Sequence, residues 1–240
     1  LPHFKTEEFN DEIQELKQLS LTLGYKIHDN IIQNRPKIDS ATYIGKGKLN
    51  SLVNICSELN VKTLIFNNEL SPSHYKNINK ISKDKLRIID RTKLILDIFN
   101  DHAKTNEAKK QIELATLQYM LPRLTGLWTH LERQMGGIGT RGGPGEKQIE
   151  IDKRIIRKSI TKLKKDLKNI HTQRKTQRKN RHDIYKISLV GYTNAGKSTL
   201  MKELSGFNVL IKDQLFATLD TTTKLTVFKK KYKALLSDTV

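Results

Sequence analysis

The octapeptide Gly191-Tyr192-Thr193-Asn194-Ala195-Gly196-Lys197-Ser198 constrains this chain more than any other stretch. It satisfies G-x-x-x-x-G-K-[ST], a pattern that works only where a strand runs into a loop and the loop into a helix. Both flanks are present. Residues 184–190 (Ile-Tyr-Lys-Ile-Ser-Leu-Val) are an aliphatic, β-branched run that reads as a buried strand, and Ser198, Thr199 and the residues after them read as the first turns of a helix. Gly191 and Gly196 are expected to take backbone angles closed to residues with a Cβ. The loop then turns its N–H groups around phosphates at the positive end of the helix. Lys197 would reach the β- and γ-phosphates, and the Ser198 hydroxyl would ligate Mg2+. A plain glycine turn before a helix is the bland alternative. Because the loop reads phosphates and not bases, it does not separate GTP from ATP.

Composition narrows the partners. The chain has 240 residues, with 44 Lys plus Arg against 25 Asp plus Glu, a net charge of +19. That excess points to a polyanion, nucleic acid before an anionic membrane. The single Cys56 excludes an intramolecular disulfide, and the seven histidines have no metal-ligand spacing, so no structural metal is expected. No apolar run reaches the roughly 18 residues of a spanning helix, and the N-terminus is no signal peptide. A cytoplasmic monomer is expected. The start without Met and the end at Val240 lead us to expect a piece of a longer chain.

The first hundred residues alternate helix-like and strand-like stretches. Phe9, Ile13, Leu16, Leu19 and Leu23 form a helical stripe closed by Gly24. Residues 25–33 read as a strand, 48–59 as a helix, 63–66 as a strand. Ser71-Pro72 reads as a helix start, 86–89 as a strand and 92–102 as a helix. Such alternation predicts a small α/β domain, residues 1–103, with a largely parallel sheet. Residues 104–182 differ. Leu114, Leu117, Leu121, Leu124, Trp128 and Leu131 step by three and four, with Pro122 set to kink the helix; Ile156, Ile160, Leu163, Leu167 and Ile170 do the same. Two seams joined by a glycine-rich loop at 136–145 predict a long antiparallel helical hairpin, against two helices packed separately. Residues 183–240 then start a P-loop domain. Between Lys153 and Arg181 the helix carries 13 cations against Asp166 alone, +12 of the +19. A charge run is usually a solvated face, but one this one-sided repels itself, which favours contact with an RNA backbone.

Six of the thirteen glycines lie within residues 136–145, far more than a helix connection needs. Neither a preceding strand nor a βαβ unit supports a dinucleotide reading of Gly137 to Gly142. Pro144 and Glu146 fit a helix start, and Glu150 with Arg154 fits an i,i+4 pair, so these carboxylates read as helix stabilisers rather than catalysts.

Gly-Gly-Pro-Gly-Glu-x-x-x-Glu-x-Asp at 142–152, preceded by Leu-Pro-Arg-Leu at 121–124 and followed by the phosphate loop, resembles the HflX-type GTPases. So do Thr42-Tyr-Ile-Gly-Lys-Gly-Lys48 and Leu70-Ser-Pro-Ser73, and the likeness covers essentially the whole chain. The resemblance implies a GTPase that binds GTP or GDP with Mg2+ and meets the large ribosomal subunit and its rRNA. It implies roles in splitting or rescuing ribosomes, with the helical loop reaching toward the peptidyl transferase region. It also implies that Phe216-Ala217-Thr218-Leu219-Asp220 is the first switch segment, Thr218 being a second protein ligand of Mg2+, although Thr221 stands where the family usually has Pro. Asp238-Thr239-Val240 would open D-T-V-G, with Asp238 holding a water of the Mg2+ shell. The guanine-reading and water-orienting residues would lie past Val240, so little turnover is expected from these residues alone. A P-loop ATPase or RNA-remodelling protein, and a non-enzymatic RNA-binding module, stay open as alternatives.

Overall fold

The computed structural model describes residues 6–83, 85–124, 145–178, 184–192, 195–206, 216, 222–228 and 232–238. It is mixed α/β and divides into two compact units, Leu1–Ile95 with Ala115–Thr161 and Leu96–Leu114 with Lys162–Val240. No helix among the described residues is long and apolar enough to cross a membrane.

In the first unit α1 (Thr6–Thr22) buries Leu19 and stops where Gly24 takes φ +76°. Tyr25 N–H then donates to Ser20 O and Gly24 N–H to Leu21 O, the paired bonds that satisfy a helix's last carbonyls. Next come α2 (Lys46–Glu58), β1 (Thr63–Phe66), α3 (Pro72–Ser82), β2 (Arg87–Asp90) and α4 (Arg91–His102), close to the expected bounds. Strands β1 and β2 pair in parallel, Thr63 opposite Arg87 and Phe66 opposite Asp90, with α3 as their crossover. Leu49 and Leu52 of α2, Tyr75 and Ile78 of α3, and Ile88 and Ile89 of β2 are buried.

Residues 25–33 correct the sequence reading. They form no strand, and Ile31 and Ile32 are exposed. A β-branched run becomes a strand only where a neighbour offers a ladder, and here none does.

Helix α3 starts as Ser71-Pro72 predicts. Ser71 Oγ accepts from His74 N–H at 3.2 Å, and His74 Nδ1 accepts from Ser71 N–H at 3.4 Å. This is a reciprocal cap with histidine in the place usual for Glu or Gln. Ser71→Ala should lower unfolding stability by about 1 kcal/mol in urea titrations; no change would mean solvent already satisfies those amides.

A buried polar network closes this unit. Asp90 is fully buried; its Oδ2 accepts from Leu70 N–H (3.0 Å), and its Oδ1 from Lys93 N–H (2.8 Å) and the Tyr119 hydroxyl (2.8 Å). The Tyr75 hydroxyl lies 3.0 Å from that of Tyr119. Tyr119 belongs to α5 (Asn106–Met120), which ends in a 3-10 turn over Leu121–Arg123 containing Pro122. So Pro122 interrupts the helix in one 3-10 turn, and Leu124 is helical again, the break expected of a proline inside the seam. The proline cannot supply the N–H that an unbroken helix needs.

In the second unit Phe99, Ala103, Ala108 and Ile112 pack together where α4 gives way to α5. Helix α6 (Gly145–Arg178) runs antiparallel to α5, since Lys110 pairs with Asp166 while Glu107, nearer the start of α5, pairs with Arg174, nearer the end of α6. Trp128 and Leu131, the far end of the first seam, and the glycine loop up to Pro144 lie outside the described residues, whereas the second seam lies wholly within α6. Leu163 of α6 is buried, and Arg154, Arg157, Lys158, Lys162, Lys164, Lys165, Lys168 and Lys175 are exposed. At about 100° per residue all eight fall on the half of the helix opposite Leu163.

The second sheet has the order β3-β5-β4, where β3 is Tyr185–Leu189, β4 Thr222–Phe228 and β5 Tyr232–Asp238. Strand β3 pairs with β5 in parallel and β4 with β5 antiparallel. Helix α7 (Lys197–Ser205) follows the phosphate loop and buries Met201; β5 buries Ala234 and Leu236. Strand β3 was expected to be buried and is not: Tyr185 is 74% exposed and Ile187 41%. Among the described residues it pairs with β5 only.

Candidate functional site

The carboxyl ends of β3 and β5 lie side by side, Leu189 opposite Asp238. In open α/β sheets ligands bind beyond such ends. From β3 the chain passes through Val190 and the glycine loop into α7, with Gly196 preceding the helix at φ +82°. That angle accounts for Gly196, because a β-carbon there would be strained. Gly191 is different. Its φ lies outside the left-handed region, and a β-carbon there would meet only Lys197 side-chain carbons at 3.7 and 3.8 Å. The expectation that both glycines supply special backbone angles is therefore corrected for Gly191.

Lys197 is the first residue of α7. Its Nζ donates to Gly191 O at 2.8 Å and Tyr192 O at 2.7 Å, so the ammonium spans the loop's mouth. Ala195 N–H closes a turn on Tyr192 O at 3.3 Å, and Tyr192 leaves its ring exposed. Ser198, also in the first turn, donates from Oγ to Asp238 Oδ2 at 2.6 Å, a bond 40 residues apart in sequence. Asp238 is fully buried, and its Oδ1 has no hydrogen-bond partner among the described residues. Thr199 is exposed on the same turn. Tertiary structure thus brings Gly191, Tyr192, Ala195, Gly196, Lys197, Ser198 and Asp238 together. Thr193, Asn194, Ala217, Thr218, Leu219, Asp220, Thr239 and Val240 lie outside the described residues.

Phe216 is placed by another element. Its carbonyl accepts from His102 Nδ1 at 3.1 Å and its ring stands edge-on to Phe99, both on α4. No sequence signal marked Phe99 or His102, because their partner is more than a hundred residues away. Strand β4 was also missed, though its run Leu225-Thr-Val-Phe228 has strand composition.

A strand, a glycine loop, a lysine-led helix and an aspartate closing the neighbouring parallel strand define the P-loop class of nucleotide-binding folds. Family comparisons refine this. Residues 10–100 match the family described as GTP-binding GTPase N-terminal, residues 102–181 the GTP-binding GTPase middle region, and residues 186–240 the 50S ribosome-binding GTPase family. GTPase HflX of Flavobacterium psychrophilum is 47% identical over 234 residues, spanning 98% of this chain and 56% of that protein. GTPase HflX of Escherichia coli is 38% identical over 240 residues, spanning 99% and 56%. The chain belongs to the HflX family of GTPases and spans a little over half the length of these relatives. Among solved structures it is similar to a GTP-binding protein from Sulfolobus solfataricus in complex with GDP, with TM-score 0.50 and 28% identity over 96% of this chain and 58% of that one. It is likewise similar to the SsGBP and GDP complex, with TM-score 0.53 and 28% identity over 94% of this chain and 58% of that one.

Proposed function

We propose that the protein binds and hydrolyses GTP and does so in association with the large ribosomal subunit. The observation that carries the nucleotide half is the gathering of Lys197, Ser198 and Asp238 at one loop beyond two parallel strands, in a chain whose relatives are GTPases. In this reading residues 1–103 are an N-terminal domain, 104–182 the helical hairpin and 183–240 the start of the GTPase domain. The amides of 191–198 and the Lys197 ammonium bind the β- and γ-phosphates. Ser198 donates its hydroxyl hydrogen bond to Asp238 Oδ2, and its oxygen would ligate the cation. Thr218 supplies a second oxygen, and the partnerless Asp238 Oδ1 suits a carboxylate that accepts from a metal-bound water. Such hard oxygen donors fit Mg2+, which when bound neutralises charge on the β- and γ-phosphate oxygens. Loss of the γ-phosphate frees Thr218 and the segment after Asp238, which makes hydrolysis a switch.

The ribosomal half is supported by α6, whose eight exposed cations occupy the half of the helix opposite Leu163. No described residue favours an ATPase over this reading, and a competition titration separates them. With the full-length protein, unlabelled GTP and GDP should displace a fluorescent GDP while equal ATP leaves it bound. Displacement by ATP would transfer the protein to the ATPase class. Large-subunit binding, followed by cosedimentation, should weaken at least about tenfold between about 50 and about 200 mM salt, because neutralised phosphates release counterions. A flat salt response contradicts contact with the RNA backbone.

A further inference from the structure

The amino end of the β1–β2 pair carries a cluster of charge that the phosphate site does not use. Lys62 precedes β1 and Arg87 opens β2. The strands are parallel, and Arg87 N–H donates to Lys62 O at 2.8 Å, so both cations stand at the same end of the sheet. The connection from α3 into β2 arrives there. Lys83 N–H donates to Lys80 O at 3.4 Å and Lys85 N–H to Ser82 O at 3.0 Å, which makes that connection a tight turn. Lys62, Lys80, Lys83, Lys85 and Arg87 are all exposed. Residues 76–87 hold five cations against Asp84 alone, which lies outside the described residues. Glu58, four residues before Lys62, offsets one of these charges.

The fold of this unit does not account for the cluster. A cation at a helix's carboxyl end complements its dipole, which explains Lys80 in the last turn of α3. Lys83 is different. It closes α3 at φ +50°, a left-handed position that favours glycine and strains a residue with a Cβ. Lys76 and Lys80 lie one turn apart on α3, a like-charge pair that weakens a helix, and α3 has no acidic residue to relieve it. Bringing such charges to one sheet end is unfavourable until a polyanion neutralises them.

We propose that Lys62, Lys80, Lys83, Lys85 and Arg87 form a second contact with an RNA backbone, made at the amino end of the β1–β2 sheet and separate from the cations of α6. The proposal rests on the reading of large-subunit RNA as this chain's partner. Lysine ammoniums are compact point charges that meet phosphates without a fixed geometry. The cores of protein interfaces are depleted of lysine, and an element that lies on a membrane also needs apolar side chains to insert. Of the large apolar side chains exposed among the described residues, none falls within 60–103, the nearest being Leu59. A lysine-rich, apolar-poor surface thus fits phosphates better than a protein or a lipid surface. Contacts of this kind set position and affinity and read no bases.

The test follows cosedimentation of the full-length protein with purified large ribosomal subunits from about 50 to about 200 mM salt. The triple variant Lys80→Gln, Lys83→Gly, Lys85→Gln should bind at least about tenfold more weakly at about 100 mM salt, and its plot of log affinity against log salt should be shallower by about two to three. The single variant Lys83→Gly separates binding from folding. Glycine relieves the left-handed strain, so the urea midpoint should rise or stay level while the salt slope falls by about one. If the lysines serve only α3, Lys83→Gly leaves the slope unchanged, and that result overturns the proposal. So does a triple variant that binds subunits like the unsubstituted protein. Vesicles of phosphatidylcholine and phosphatidylglycerol form a second arm: a triple variant that loses vesicle binding but keeps subunit binding assigns the cluster to a membrane surface and also overturns it. Should the triple variant fail to fold by circular dichroism, the Lys83→Gly slope decides. If the unsubstituted protein does not bind the subunit, or binds it with no salt dependence, the RNA reading falls and this proposal with it; if it binds with a steep slope that the variants leave intact, this proposal falls alone.

Discussion

Lys197→Ala in the full-length protein is expected to weaken guanine-nucleotide binding by about two orders of magnitude and to remove measurable hydrolysis. The ammonium stands at the mouth of the loop, bonded to the carbonyls of Gly191 and Tyr192. Those two bonds hold the ammonium over the start of the loop, so a phosphate oxygen bound there would find a positive charge already placed. A hydrogen bond to a charged group contributes about 1.5–3 kcal/mol net, and one or two to phosphate oxygens give about a hundredfold in affinity. Alanine also leaves the carbonyls facing the phosphates with no cation between, a repulsion beyond the lost attraction. Lys197→Arg should fare little better, because a planar fork on a longer stem does not reproduce a compact ammonium. Fluorescent-nucleotide titration decides the matter. Affinity within about threefold of the unsubstituted protein, with an intact circular-dichroism spectrum, would falsify the phosphate-site reading.

Arg123→Ala should be the most costly single substitution for stability, at about 3–5 kcal/mol in urea unfolding. Arg123 is 5% exposed. Its Nη1 donates to Tyr119 O (2.9 Å), its Nη2 to Leu70 O and Glu69 Oε1 (both 2.7 Å), and its guanidinium carbon lies 3.9 Å from the centre of the Tyr119 ring. Alanine strips partners from buried carbonyls and opens a cavity beside two tyrosines. Glu69, in contrast, is 61% exposed, so Glu69→Gln should cost under about 1 kcal/mol although it breaks the ion pair. The two values together separate the buried hydrogen bonds from the surface charge. A cost below about 1 kcal/mol for Arg123→Ala would mean that the network does not hold this unit. The tyrosines add a pH signature. Burial, with the Asp90 charge second, pushes the Tyr75 hydroxyl from 10.0 up to about 12, and burial raises Tyr119 as well. A folded-state value above the unfolded one gives stability that is complete below the unfolded value. Stability should therefore decline as pH rises from about 10 toward about 12, and Tyr75→Phe should flatten that decline.

Much of the fold was legible because its signals are local. The heptad-like spacing of α6, the cap at Ser71-Pro72 and the apolar run at Thr63–Phe66 each specify their own element within a few residues, and the structure places all three as read. Residues 25–33 and strand β3 were misread for one shared reason. Whether an apolar run forms a strand, and whether that strand is covered, depends on chain elsewhere, and no local pattern reports it. The candidate site divides in the same way. The loop and its lysine are contiguous and were visible, whereas the bond from Ser198 to Asp238 crosses 40 residues and needed coordinates.

By itself the sequence determined that this chain carries a phosphate loop between a strand and a helix, a one-sided basic helix, and a run of α/β elements before them. Each of these follows from side-chain type and spacing over a few turns. Only the tertiary structure decided that Arg123 is a buried clamp and not a surface cation, that residues 25–33 form no strand, and that Phe216 rests on a helix more than a hundred residues earlier. Those outcomes come from contacts between distant segments, where burial and hydrogen-bond geometry, not local preference, set the energy.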